Sequence, residues 1–443
     1  MGNTPRLPTV GNEETIMKQK VIVRAPVLTR SGYGEHGRFV LRALRTVEEQ
    51  YDIYVHPVGW GKTGWLAEDD EERKWMDGLI QKTAIYQHQM QGRPQYDMSI
   101  QVTIPNEWTP LAPVNIGVTA GIETNRVAPV WLEKVNHMDK VITVSEHSRQ
   151  VFLTSAYDGT DRNTGQPIKL QCNKDIEVVH YPVKQFENVD LNLDLETDFN
   201  FLAVAQWGPR KNLENTIRWF VEEFIDNPDA GLVVKTFGKG NSLLDREDMT
   251  KMLGNLLKQY ENRQCKIYLL HGEFSDQEMH SLYNHSKIKA LVSLTHGEGF
   301  GLPLFEAAYS GMPIIAPEWS GHVDFLFAPK KDKKTGKEKM KAHFGRVNYD
   351  LHPIPDHAVW DGVLEKGSMW AYSQPGSYKM KLREMYKDYG RFKKQAKDLK
   401  KWLLKNFNEE KQYKEFTECL KEHTPESLDV QGWFDQLNEE KYD

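Results

Sequence analysis

Short, predominantly apolar runs recur along the chain. Each is followed by a turn rich in glycine or polar residues, and then by a segment with apolar positions at helical spacing. In the first half the runs fall at 20–25, 51–58, 97–102, 116–120, 140–144 and 176–179; in the second, at 201–205, 232–237, 266–270, 290–294 and 312–316. Runs that are apolar throughout, rather than at alternate positions, belong to strands covered on both faces, as in a parallel sheet. Between them a helix is predicted over 38–49, and another follows the acidic run 68–72. Trp131, Leu132 and Val135 mark a third helix, and Ile217, Phe220, Val221 and Phe224 share the face of a later one. Ser145 is placed to cap a helix opening at Glu146, and Ser275 with Glu278 makes the S-x-x-E pattern of a capping box. From Tyr378 onward the pattern is helical, with Trp402, Leu403, Phe407, Phe416 and Leu420 on its apolar face. Strands alternating with helices predict an α/β protein with two Rossmann-like, doubly wound parallel-sheet domains facing across a cleft.

The polar, acid-rich stretch 186–200 separates the two sets and reads as a linker. The division is then a flexible leader (1–19), a first domain (20–185), the linker, a second domain (201–415), and a C-terminal helix (416–443) returning to the first domain. At 443 residues, each domain is long enough for its own core. The formal net charge of -6 gives no bulk basic field for nucleic acid. Cys172, Cys265 and Cys419 lie far apart in no ligand spacing, which fits a reduced compartment. The first nineteen residues lack the apolar core of a signal peptide. No apolar run has the length of a membrane span. A cytoplasmic protein is expected.

One stretch concentrates candidate chemistry. After the run 290–294 come Gly297, Gly299 and Gly301, then Pro303, which suits the first turn of a helix. A strand, a glycine turn and a helix N-terminus together make an anion site of free N–H groups and positive dipole. Glu298 and Glu306 flank it. A carboxylate is a poor partner for phosphate but a good acceptor for sugar hydroxyls, so the combination points to a ligand carrying both, such as a nucleotide sugar. A glycine turn alone is common to many βα units; Pro303 and the two glutamates narrow the reading.

In the second domain Pro209, Arg210 and Lys211 follow the first strand directly, where an Arg–Lys pair would hold a diphosphate. In the first domain Gly32, Gly34 and Gly37 form a second glycine loop. The long approach to it, and the lack of an acidic residue closing the strand at 51–58, set it apart from a dinucleotide fingerprint. Glu123 lies in the polar cluster 121–126 at a strand's carboxyl end, where open α/β sheets place ligands. The chain has no D-x-D pair, no His or Cys set with metal spacing, no G-x-S-x-G elbow and no P-loop. Charge on a leaving diphosphate then falls to Arg210, Lys211 and backbone amides, with no metal. The lysine-rich segment 330–341 reads as a solvated hairpin or loop, or as a contact for a polyanion.

These residues resemble a known family. Glu298 and Glu306, with seven residues between them, resemble the E-x7-E signature of retaining glycosyltransferases with the GT-B fold, family 4 in particular. The run from Ala307 to Ala316 is similar to that family's E-A-x-A-x-G-x-P-V-I-A, and Arg210-Lys211-Asn212 resembles its R-K-G loop. Glu123-Thr124, Trp131 and Asp139 to Ser145 resemble an E-T…W…D-x-x-x-x-x-S pattern of one branch. The resemblance implies a first domain for the acceptor and a second for a nucleotide-sugar donor, a UDP-sugar by family frequency, with no tightly bound cofactor. It implies that Glu306 accepts from the ribose and Glu298 from the donor sugar. The amides of Gly299, Phe300, Gly301 and Leu302 would hold the diphosphate with Arg210 and Lys211, and the Gly32–Gly34 loop would close over it. The chain departs from the family at Gln206, where many members carry arginine. It departs again at Glu123, where many place histidine or aspartate near the sugar; there Glu123 is a catalytic-site contact to sugar or acceptor, or else a structural cap. Segments 30–36, 104–107 and 120–124 are similar to glycosyltransferases of large double-stranded DNA phages. That similarity implies a hydroxymethylated DNA base as acceptor, its phosphates gripped by 330–341, and a place in the host cytoplasm. The competing acceptors are a polysaccharide, a glycolipid or a small molecule. A non-catalytic nucleotide- or partner-binding protein is the alternative of another class.

Overall fold

The computed structural model describes residues 18–61, 63–160, 165–331 and 336–423. In chain order the first half contains β1 (Gln19–Ala25), α1 (Gly32–Arg45), β2 (Tyr51–Pro57), α2 (Glu71–Gln89), β3 (Met98–Val102), β4 (Val114–Thr119), α3 (Pro129–Asn136), β5 (Lys140–Thr143), α4 (Glu146–Thr154), the hairpin β6 (Ala156–Thr160) and β7 (Pro167–Gln171), and β8 (Ile176–Val178). Six of these strands form a parallel sheet in the order β2-β1-β3-β4-β5-β8. Val21, Val23, Ile100, Ile116 and Val118 are fully buried within it, as strands covered by helices on both faces require.

The second half follows the same plan. β9 (Phe199–Gln206), α5 (Leu213–Phe224), β10 (Ala230–Phe237), α6 (Leu243–Leu257), β11 (Lys266–Leu270), α7 (Asp276–Tyr283), β12 (Ile288–Val292), α8 (Leu302–Ser310), β13 (Ile314–Pro317) and α9 (Val323–Leu326) lead to the hairpin β14 (Phe327–Lys331) and β15 (Glu338–Ala342), then to β16 (Gly345–Val347). The second parallel sheet has the order β11-β10-β9-β12-β13-β16. A further hairpin, β17 (Tyr349–Pro353) and β18 (Met369–Ser373), precedes α10 (Pro375–Lys387), α11 (Tyr389–Asn406) and α12 (Glu409–Glu418).

α12 leaves the second domain and packs on α1 of the first. Phe416 meets Phe39 edge-on at 5.6 Å, and Phe416 and Leu420 are fully buried in the first core. The chain therefore passes between the domains twice. The two passages are joined where the Val183 N–H donates to the Phe407 carbonyl at 2.7 Å.

Four boundaries differ from the sequence reading, one of them the returning helix, which opens at Glu409 rather than at 416. β1 opens at Gln19, inside the stretch read as a leader, whose residues 1–17 lie outside the described residues. β9 opens at Phe199, inside the stretch read as a linker, because Phe199 packs on Tyr386 and Tyr389 and so extends the strand. The first glycine loop is no loop. Ser31 caps α1 by accepting from the Gly34 N–H, so Gly32 and Gly34 lie in the helix's first turn, ahead of the predicted start at 38. Gly34 is required there by crowding, since a Cβ would stand 2.1 Å from the Thr29 carbonyl oxygen. Of the segment 416–443, residues 424–443 lie outside the described residues.

Candidate active site between the domains

The stretch 296–306 joins β12 to α8 at the carboxyl edge of the second sheet. Gly301 has φ +95°, a left-handed conformation open to glycine, and it turns the chain into α8 with Pro303 in the first turn. Among the described residues the N–H groups of Gly299, Phe300, Gly301 and Leu302 find no acceptor. They leave the positive end of α8 with its donors unspent. The Phe300 side chain has a different task. It is buried among Tyr181, Phe305 and Phe325, so only its backbone is available to a ligand.

Gly297 and Gly299 serve the other domain. A Cβ on Gly297 would stand 2.2 Å from the carbonyl oxygen of Glu123, and one on Gly299 equally close to that of Ala120. Behind them a Cβ on Gly321 would meet the Gly299 carbonyl oxygen at 1.9 Å. The glycine turn is thus pressed between the 120–123 backbone of the first domain and the 320–321 backbone of its own. Ser145 donates to the Gly299 carbonyl at 2.6 Å, and Asp324 accepts from the Glu146 N–H while lying 3.0 Å from His180 Nε2. Both glycines are therefore required by the close approach of the first domain's backbone.

Arg210 and Lys211 lie in a short 3-10 turn after β9, and Asn212 adopts a left-handed conformation with φ 51° to start α5. The turn is fastened to the glycine stretch, because the His296 N–H donates to the Arg210 carbonyl at 2.8 Å. Arg210 Nη1 donates to the Gly297 carbonyl at 2.6 Å and to Glu298 Oε2 at 3.1 Å; Lys211 Nζ donates to Glu298 Oε1 at 2.6 Å. Arg210 Nη2 reaches Glu123 Oε1 of the first domain at 3.3 Å. Burial alone would raise the Glu298 carboxyl, but Lys211 and Arg210 overrule it and hold it near 2. Lys211 is lowered, chiefly by burial and then by Arg210 beside it. Arg210 is raised; burial opposes this, and Glu123 and Glu298 outweigh it.

Glu306 stands apart from this quartet. Its carboxylate accepts from the Tyr283 hydroxyl at 2.9 Å, and burial pushes it up to about 7 despite that bond. Gln206 turns away to donate to the Gly238 carbonyl at 2.8 Å. On the first-domain side, Tyr33 of α1 fixes the end of β4 through the Thr119 hydroxyl at 2.8 Å and the Ala120 N–H at 3.2 Å. Gly32 has open space where its Cβ would be.

The sequence reading missed the strap formed by the β17–β18 hairpin. It carries Val363 into the first domain's core, and its Met369 N–H donates to Asn125 at 2.8 Å. Arg126 donates to the Lys366 carbonyl at 2.9 Å, while Trp370 stacks on His296 at 5.4 Å. The paired aromatics Trp370 and Tyr372 were the available signal. β17 itself, exposed along most of its length, gave none.

The lysine-rich segment forms the hairpin β14–β15, apart from residues 332–335, which lie outside the described residues. Lys330 stands directly opposite Lys339, and Lys341 opposite Ala328. They border an open groove of about 1220 Å³ that is closed by β16, α10 and α11. Among the described residues, no group of His, Cys, Asp and Glu side chains could hold a metal ion. Nor is any helix long and apolar enough to cross a membrane.

Solved structures share this two-sheet arrangement. A glycosyltransferase from Rickettsia africae aligns over 92% of this chain and 98% of its own with TM-score 0.56, and Anabaena HepE, in complex with UDP and glucose, over 91% and 99% with TM-score 0.50. The chain has the GT-B fold. Identity to these GT-B structures is 13% and 12%, so the likeness is one of fold. Residues 186–336, which include the turn at 209–211 and the whole 296–306 stretch, match the family model of glycosyl transferases group 1. The serotype-specific mannosyltransferase WbdA of Escherichia coli is 27% identical over 195 residues, 42% of this chain and 22% of WbdA. The chain thus spans about a fifth of that relative's length.

Proposed function

We propose that this protein is a retaining glycosyltransferase that moves a sugar from a nucleotide-diphosphate sugar to a hydroxyl acceptor. The observation that carries the proposal is the meeting of Arg210, Lys211 and Glu298 beside the unspent N–H groups of α8. The two cations and four amides hold the diphosphate, Glu298 accepts from the donor sugar and Glu306 from the ribose. The acceptor oxygen bonds to the anomeric carbon on the face that the phosphate leaves, as the carbon–phosphate-oxygen bond breaks. The acceptor's proton passes to the departing phosphate oxygen, giving the nucleoside diphosphate. Positive charge fixed at that oxygen is the main catalytic device. With two cations placed there, we read the reaction as independent of a divalent ion, so chelation with EDTA should leave turnover unchanged. UDP is favoured as the carrier, a choice supported by the GT-B relative solved with UDP and glucose.

Thermal shift with UDP, GDP and ADP tests the donor site. A chain whose melting temperature moves with none of them is not this enzyme. Retention is read from the anomeric configuration of the product by NMR. Lys211→Ala should lower kcat by about 10²–10³-fold and leave KM for the donor much less affected. A raised KM alone would refute the charge argument.

For the acceptor we propose a hydroxymethylated base in DNA. The reading is supported by the lysine pair Lys330 and Lys339, whose like charges stand opposed across a hairpin at a cost in stability. A saccharide hydroxyl is the second reading, favoured by similarity to a mannosyltransferase. Incorporation of labelled sugar into hydroxymethylcytosine-containing DNA, run beside oligosaccharide acceptors, separates them. No transfer to DNA from any nucleotide sugar removes the first.

A further inference from the structure

We propose that Glu123 competes with the donor's diphosphate for Arg210, so that a side chain of the first domain sets donor affinity. The inference rests on Arg210 and Lys211 being the diphosphate cations. Glu298 and the Gly297 carbonyl, both in the second domain, take Nη1 of Arg210, and Glu298 also takes Lys211. The other edge of the guanidinium, Nη2, faces Glu123 at 3.3 Å. Two cations and two carboxylates make a neutral quartet. A diphosphate reaching Nη2 brings further negative charge against the Glu123 carboxylate, and like charges on one fork are mutually excluding.

Only the side chain of Glu123 has room to yield. Its carbonyl oxygen lies against Gly297, where no Cβ could fit. The next residues are held as well: the Thr124 hydroxyl donates to the Arg126 carbonyl, Asn125 accepts from Met369, and Arg126 donates to Lys366. The side chain, by contrast, is 27% exposed and can rotate toward solvent. Donor binding therefore replaces an ionic contact between the domains with a bridge of its own, and release of the nucleoside diphosphate is helped by the carboxylate returning.

The test is calorimetric titration of UDP, GDP, ADP and UDP-glucose into wild type, Glu123→Gln, Glu123→Ala and Glu123→Asp. Removing the charge should tighten binding of whichever diphosphate binds by about 1.5–5-fold, the range for an exposed ion pair, with the gain shrinking as salt is added. Glu123→Asp, which keeps the charge, should not show the full gain. Either neutral variant suffices if the other fails to fold. Equal or weaker affinity in the neutral variants overturns the inference while leaving the donor site intact. So does weakening confined to the nucleotide sugar, which would make Glu123 a sugar contact. A wild type that binds none of the three diphosphates overturns the underlying reading of Arg210 and Lys211, and the inference with it.

Discussion

Two carboxylates eight positions apart have opposite electrostatics, and this can be read in a stability–pH curve. Glu298, paired with Lys211 and Arg210, titrates near 2 against an ordinary 4.5. Its contribution is complete above about 4.5 and is lost as pH falls toward 2. Glu306, raised by burial to about 7, behaves in reverse. Between 4.5 and 7 the folded protein keeps a proton that the unfolded chain has released, so stability falls as pH rises through that window. Glu306→Gln should remove the fall. Its melting temperature should match wild type near pH 4.5 and exceed it by several degrees at pH 8. Parallel curves across that range would show that Glu306 is not buried in this way. The grouping of Glu298 with Arg210 and Lys211 was legible in the sequence because all three follow strands of one sheet; Glu306, a turn into α8, stands apart from them. The ionic contact of Arg210 with Glu123 was not legible, because it depends on how closely two domains approach.

At the scale of elements, the glycine turn is a contact surface between the domains. Gly299→Ala would place a methyl group 2.2 Å from the Ala120 carbonyl oxygen. Backbone cannot yield there as a flexible side chain could, so the domains must move apart. Transfer should fall to background while both sheets stay folded, with far-ultraviolet circular dichroism unchanged and an increased radius of gyration by small-angle scattering. An active, equally compact variant would contradict the packing described here. The glycines were visible in the sequence but their purpose was not, since an anion cradle and a backbone contact need the same missing Cβ. The strap is the counterpart. β17 is mostly exposed and β18 is one short apolar run; His296, Val363 and Arg126 reveal its role only once the first domain stands opposite.

At the scale of the molecule, the alternation of strands and helices made the two parallel sheets readable, because strands covered on both faces leave predominantly apolar runs. The return of the chain to the first domain is carried by few residues. Phe416, fully buried against Phe39, is the central one. Phe416→Ala should cost about 3–5 kcal/mol, lowering the melting temperature of the first domain and detaching α12 to proteolysis. An unchanged melting profile would place the helix's anchorage elsewhere.

The hydrogen bond from Val183 to Phe407 has a mechanical meaning. Two covalent tethers that cross at one laced point act as the pin of a door, removing sliding and leaving rotation as the cheap motion. The strap's grip on Asn125 and Arg126 is then the latch of that door. A rotation large enough to admit a bulky acceptor has to release the latch and leave the pin unbroken.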